Sequence, residues 1–231
     1  MVINMVSSLD GKVTTNSGKA GSIGSPVDRL IMRSLRSRVD AVMIGASTLR
    51  AEKLNLSVPE DLSRTRVSQG REPQPLAVLV SASGDLPLKE NLLGPSPKDR
   101  LVFTVPGIPG ECLATLSQLA LVETLPVEGD SIDLRIALHV LKARHGVTVL
   151  LVEGGPSLNY SLVRGGLVDE IFLTLAPKLT GGQGPSSPGI LHGPALPPGT
   201  DFSADLLSIH AAHGELFLRY HLKNLKTDPN S

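Results

Sequence analysis

The segment Val147–Ser161, VTVLLVEGGPSLNYS, constrains this chain more than any other. Its opening run of β-branched and aliphatic residues, Val147 to Val152, predicts a strand buried on both faces. Glu153 follows, and Gly154, Gly155 and Pro156 then break the run. From Ser157 the apolar residues Leu158, Leu162 and Val163 recur at helical spacing, and Pro156 suits a first helical turn, where its missing N–H costs nothing. A strand, a glycine turn and a helix start make a device for holding phosphate. Bare main-chain N–H groups and the positive end of the helix dipole converge where no Cβ blocks approach. The same pattern also serves as a tight strand-to-helix connection with no ligand. Glu153 tilts the reading toward a site, because a carboxylate where an apolar strand enters a turn is costly unless something needs it.

Composition narrows the function classes. Lys and Arg (22) balance Asp and Glu (22), so the surface shows no bias toward polyanions or membranes. Aromatics at 3% with no Trp leave little material for the stacking platforms of single-strand binders. Cys112 is the only cysteine, which excludes an internal disulfide and a multi-thiolate zinc site and fits a reducing cytoplasm. The start, MVINMVSSLDGK, has no basic n-region and only a short apolar run, so neither a signal peptide nor a membrane span is expected. The six histidines show no ligand spacing, and no metal is expected.

Along the chain, Val2–Val6 predicts a strand ending in the polar turn Ser7 to Lys12, and Thr14–Gly24 a surface loop. Ser25-Pro26-Val27-Asp28 opens a helix whose buried face is Val27, Leu30, Ile31 and Leu35, ending near Arg38. Asp40–Gly45 is a second buried strand, and Ala46-Ser47-Thr48 leads into another helical turn. Lys53–Pro75 is polar without clear periodicity and reads as a long loop. Leu76–Val80, Leu101–Val105 and Ala120–Leu125 predict strands, with a short helix at Leu113–Leu119. Asp130 or Ser131 caps a helix carrying Leu134, Ala137, Leu138 and Leu141 on one face. Val168–Thr180 is a long strand, Gly181–Thr200 a Gly/Pro-rich excursion, and Phe202–Ala212 with Glu215–Leu222 a closing hairpin at His213-Gly214. Gly181-Gly182-Gln183-Gly184 opens no helix and reads as connection.

Alternating strands and helices with a terminal hairpin predict one α/β domain over residues 1–222, followed by a polar tail at 223–231. Its sheet is expected to be mostly parallel with an antiparallel C-terminal edge hairpin and helices on both faces. In such sheets ligands lie outside the carboxyl ends of the strands. Three polar clusters fall at expected strand ends, Asn4 to Asp10, Gly45 to Thr48 and Glu153 to Pro156, and their convergence argues for a shared cleft.

Four stretches in order, Asn4–Lys12 (NMVSSLDGK), Asp40–Thr48 (DAVMIGAST), Leu151–Leu158 (LVEGGPSL) and Leu167–Leu179 (LVDEIFLTLAPKL), resemble the reductase domain of the riboflavin-biosynthesis deaminase–reductase family. The resemblance implies a dihydrofolate-reductase-like fold and NADPH as hydride donor. It also implies 5-amino-6-(5-phosphoribosylamino)uracil as substrate, whose opened ribose accepts the hydride at C1′ to give a ribitylamino product. Two-domain relatives carry a zinc deaminase with several cysteines, which a single cysteine rules out here. Carried over by motif, Gly45, Thr48, Glu52, Gly154, Gly155, Pro156, Ser157 and Leu158 would contact the cofactor. Arg36 would lie near the substrate phosphate, with Glu153 and Leu56 also on the substrate. Arg36 alternatively is a solvated cation at a helix C-terminus, favoured by the dipole. Asn4 would lie close to the nicotinamide, and Asp10 either acts in catalysis or stabilises its own turn.

The chain departs from the family after the Thr48 motif, where many members have A-D-D-P-x-L-T and this chain reads Arg50-Ala51-Glu52-Lys53-Leu54-Asn55-Leu56-Ser57. Glu52 stands in the place of the first aspartate, and the second acid and the proline are gone. A substrate-loop serine reads Ala20, and an aspartate before a cofactor-contacting serine reads Ser81. Reduction of a dihydropterin or another small heterocycle, and nucleotide binding without turnover, therefore stand as alternatives. No arginine or lysine is marked by sequence as the reader of a 2′-phosphate, and the proton for the product comes from water or from an acid such as Glu153. Relatives pair as homodimers, and Ile171–Leu175 or the closing hairpin could supply the shared edge.

Overall fold

A computed structural model describes residues 1–14, 23–51, 55–87, 96–129, 131–182, 187–196 and 202–223. In chain order the elements are β1 (Val2–Ser8), α1 (Pro26–Arg36), β2 (Ala41–Gly45), α2 (Ala46–Ala51), α3 (Glu60–Ser68), β3 (Leu76–Val80), β4 (Arg100–Thr104), α4 (Gly110–Leu119) and β5 (Leu121–Thr124). They continue with β6 (Val127–Glu128), β7 (Ser131–Ile132), α5 (Leu134–His145), β8 (Leu150–Val152), α6 (Pro156–Arg164), β9 (Glu170–Ala176), β10 (Ala204–Ala212) and β11 (Glu215–Leu222). The chain forms two compact units, one of Arg29–Gly155 and one of Met1–Asp28 with Pro156–Ser231.

In the unit Arg29–Gly155 the strands run in the order β8-β2-β3-β4-β5, and every neighbouring pair is parallel. β2 and β8 are buried at every position, the expected outcome for continuous apolar runs in a parallel sheet, and β4 is buried throughout although it begins with Arg100 and ends with Thr104. The ladder between β2 and β8 continues past its last pair. Glu153 N donates to the Met43 carbonyl at 3.0 Å and Gly45 N to the Gly154 carbonyl at 2.9 Å.

Three local expectations are corrected here. The helix α1 buries Arg36 alone, and Leu30, expected on its inner face, is 62% exposed. The region expected to be a long loop contains α3, which follows Pro59 and has Glu60 and Asp61 in its first turn. Its inward side chains are Ser63 and Arg66, so no apolar periodicity advertises it. The cap of α5 is Asp133, whose side chain accepts from Arg135 N and Ile136 N, rather than Asp130 or Ser131. Asp130 lies outside the described residues, and Ser131 belongs to the two-residue strand β7.

In the other unit the order is β10-β11-β9-β1. β1 and β9 pair in parallel, while β11 is antiparallel to both β9 and β10. The β10–β11 turn is formed by His213 (φ 53°) and Gly214 (φ 79°), both left-handed, the requirement of a type I′ hairpin. Glu215, buried at the start of β11, accepts from the Ser25 main-chain N and from the Ser25 hydroxyl. That Ser25 oxygen in turn accepts from Val27 N and Asp28 N, capping α1 as the Ser-Pro signal suggests. No described helix is long and apolar enough to cross a membrane.

Candidate active site

Within the unit Arg29–Gly155 the ends of β8 and β2 bring Glu153, Gly154 and Gly155 beside Gly45, Ser47 and Thr48. Gly154 has φ 99°, which an L side chain rarely adopts, and the Gly154–Gly155 bond is cis. Gly155 is a glycine for a different reason: a Cβ there would lie 2.7 Å from Thr48 Oγ1 and 3.1 Å from Ser47 Oγ. Two hydroxyls thus close on a bare main-chain bend. That is a donor set suited to a phosphate or diphosphate, and a methyl group at Gly155 would fill the space.

Glu153 is held by Arg36. Arg36 Nε donates to Glu153 Oε1 at 2.7 Å and Nη2 to Oε2 at 2.6 Å, a bidentate fork between residues 117 positions apart. Arg36 Nη1 donates to the Asn55 carbonyl at 2.6 Å, and Nη2 also approaches Met32 Sδ at 3.5 Å. The side chains are 3% and 7% exposed, so the pair is desolvated and its geometry tightly held. Behind it, buried Arg66 donates to the carbonyls of Arg36, Ser37, Val39 and Glu72, fixing the end of the helix that carries Arg36.

Part of the set expected at the site lies in this unit. Gly45, Thr48, Glu153, Gly154 and Gly155 come together as expected. Arg36 joins them, but with every guanidinium nitrogen already engaged by protein, which is at odds with a place at the substrate phosphate and with a solvated helix end. Leu56, expected on the substrate, is 1% exposed and belongs to the core. Glu52 and Ala20 lie outside the described residues.

In the other unit Pro156, Ser157 and Leu158 form the first turn of α6, with Ser157 exposed and Leu158 buried. Asn4 sits mid-strand in β1 opposite Phe172, not at a strand end. Asp10 accepts from the Ser8 hydroxyl at 2.6 Å, Thr180 N at 3.1 Å and Gly181 N at 2.7 Å. These bonds, led by that from Ser8, lower its pKa to about 2. At neutral pH it is a charged staple between its own turn and the residues that follow β9. Sequence reasoning missed Ser47, Asn55 and Arg66. Only Ser47 carried a usable signal, its place beside Thr48.

The family model described as the RibD C-terminal domain matches residues 1–194. A protein of Archaeoglobus fulgidus named 2,5-diamino-6-ribosylamino-4(3H)-pyrimidinone 5′-phosphate reductase is 34% identical over 193 residues, covering 83% of this chain and 85% of that protein. One of the same name from Methanothermobacter thermautotrophicus is 32% identical over 186 residues, covering 79% of this chain and 80% of that protein. Among solved structures, a pyrimidine reductase-like protein of Corynebacterium diphtheriae superposes with TM-score 0.77 at 25% identity, covering 96% of this chain and 91% of that one. The dihydrofolate-reductase-like fold expected from the sequence is the fold of these neighbours. With the match running through both the Gly45–Thr48 and Glu153–Leu158 stretches, the chain belongs to the RibD C-terminal domain family.

Proposed function

We propose that the chain is an NADPH-dependent reductase of riboflavin biosynthesis, acting on a 6-ribosylaminopyrimidine 5′-phosphate. The observation that carries this reading is the Arg36-clamped Glu153 beside the Gly45, Thr48, Gly154 and Gly155 bend. When bound, the reduced nicotinamide supplies the hydride. Thr48 and the main chain of the glycine bend hold the diphosphate, and Glu153 presents oxygen acceptors to the heterocycle. Arg36 is a positioning residue that keeps those acceptors in one orientation. Alignment and exclusion of water are what the protein contributes to a hydride transfer. Both Glu153 oxygens already accept from Arg36, so the proton needed by the product is assigned to water.

The same clamp favours one substrate form. The ring edge of a 2-amino-4-pyrimidinone presents an exocyclic amine next to a ring N–H, a pair of donors for a carboxylate. The equivalent edge of the uracil form places a carbonyl there, acceptor against acceptor. We therefore favour the 2,5-diamino-6-ribosylamino-4(3H)-pyrimidinone 5′-phosphate of the relatives' names over 5-amino-6-(5-phosphoribosylamino)uracil. Loss of NADPH absorbance is measured with each compound and with dihydropterins. Faster turnover of the diamino compound is expected. Oxidation with dihydropterins alone, or tight NADPH binding with no oxidation for any of them, would transfer the chain to one of the alternatives.

Gly155→Ala tests the cradle. The added methyl would sit 2.7 Å from Thr48 Oγ1, so that side chain must shift; some loss of melting temperature is expected, and NADPH affinity should fall by about tenfold to a hundredfold in the protein that remains folded. Unchanged affinity would place the diphosphate elsewhere.

A homodimer completes the reading. β9 lies between β1 and β11, so Ile171–Leu175 has no open edge to share. β10 ends the order and exposes Leu206, Leu207 and Ile209, which leaves the closing hairpin as the surface for a second copy. Light scattering after size exclusion should give twice the 24.3 kDa chain mass. Leu206→Lys with Ile209→Lys should return the monomer.

A further inference from the structure

The loop after β3 and the end of α2 hold a cation that the reading above leaves unused. Arg50, in the last turn of α2, is exposed, and its Nη1 donates to the Asp85 carbonyl at 2.7 Å. The carbonyl of Asp85, not its carboxylate, takes this bond. Nε and Nη2 of Arg50 have no partner among the described residues. The guanidinium is thus held at one corner with the rest of its fork available.

The loop that holds it is itself fixed. Asp85 N donates to Ser83 Oγ at 3.2 Å, and the Cys112 thiol of α4 donates to the Gly84 carbonyl at 3.2 Å. Gly84 has φ 69°, and a Cβ on it would lie 2.9 Å from Ile108 Cδ1, so the loop backbone packs directly on the start of α4. At the strand end Ser81 N donates to the Phe103 carbonyl at 3.0 Å.

Position gives the cation a meaning. Gly45 pairs with Val80, so the segments leaving β2 and β3 start level, on the same carboxyl edge as the glycine bend after β8. With adjacent strands about 4.8 Å apart, the β3 loop lies two strands, roughly 10 Å, from the bend. A dinucleotide whose diphosphate rests on Gly154 and Gly155 reaches that far with its adenosine ribose. In sites that take the unphosphorylated carrier an acid at a strand end reads the ribose hydroxyls, whereas a nearby arginine accommodates the 2′-phosphate. Here the strand-end residue is the neutral, buried Ser81, and the arginine is Arg50. A guanidinium matches a phosphate dianion in both shape and charge.

We propose that Arg50, held by the Asp85 carbonyl, binds the 2′-phosphate that distinguishes NADPH from NADH. This rests on the reductase reading and adds to it the residue that selects the carrier. The test is calorimetric titration of the full chain with adenosine 2′,5′-bisphosphate and with 5′-ADP, for wild type, Arg50→Gln and Arg50→Lys, with melting curves as the fold control. Wild type should bind the bisphosphate more tightly than 5′-ADP. Arg50→Gln should weaken the bisphosphate by about tenfold or more, move 5′-ADP by less than about threefold, and leave melting unchanged. Arg50→Lys should fall between. Equal weakening of both ligands, or none, would overturn the assignment of Arg50 while leaving the reductase reading in place. Wild type binding neither ligand would overturn both.

Discussion

Glu153→Gln is expected to lower kcat/KM by about a hundredfold to a thousandfold, the range seen when one preorganised polar group of an active site is removed. The amide nitrogen would face one arm of the Arg36 fork, turning a charge-assisted bond into a donor–donor contact inside a nearly dry site. Stability should drop too, because an unpaired buried arginine costs about 3–5 kcal/mol. The partner substitution separates positioning from direct phosphate binding. Arg36→Met should reduce turnover similarly on the ribosyl 5′-phosphate and on its dephosphorylated form. It should also add little to the loss caused by Glu153→Gln, since neighbours acting as one unit are not additive. A loss confined to the phosphorylated compound would return Arg36 to the substrate phosphate.

Arg66→Met is expected to cost several kcal/mol of stability at a residue outside the Glu153 and glycine-bend cluster. Arg66 is 2% exposed and donates to four carbonyls, three of them at the C-terminal end of α1 and just beyond it. Methionine fills comparable volume but leaves those acceptors unpaired, at about 3–4 kcal/mol for the group. For a chain of this size that corresponds to a fall in Tm of roughly 6–15 °C. Arg66→Lys, which keeps the charge but not the fork, should lose less. Melting of Arg66→Met within roughly 2 °C of wild type would show that the carbonyls find other donors.

The parts that sequence made legible are those whose chemistry is local. β2 and β8 announce themselves as unbroken apolar runs because both of their faces are buried. The hairpin turn shows in His213-Gly214, since only a few residues accept two successive left-handed conformations. The glycine bend shows because Gly154 and Gly155 are adjacent and flanked by a strand and a proline. What stayed hidden depends on tertiary partners. α3 turns Ser63 and Arg66 inward, so a helix with an ordinary buried face lacks the apolar period that would reveal it. The Arg36–Glu153 fork joins residues far apart in sequence, and from Arg36 alone a solvated helix end and a ligand cation look the same. Leu56 sits in a stretch that departs from the family motif, and burial rather than motif position decides its role. The bonds to Asp10 come from the amides of Thr180 and Gly181, about 170 residues away, so the motif around Asp10 does not announce them.

The most direct measurement is a crystal structure of the full chain with NADPH and the diaminopyrimidinone phosphate. The expected density places the carrier's diphosphate against the Gly154–Gly155 bend and the Thr48 hydroxyl, with the pyrimidine edge on the Arg36-held Glu153. Diphosphate density away from that bend, or a pyrimidine turned away from Glu153, would contradict the central claim.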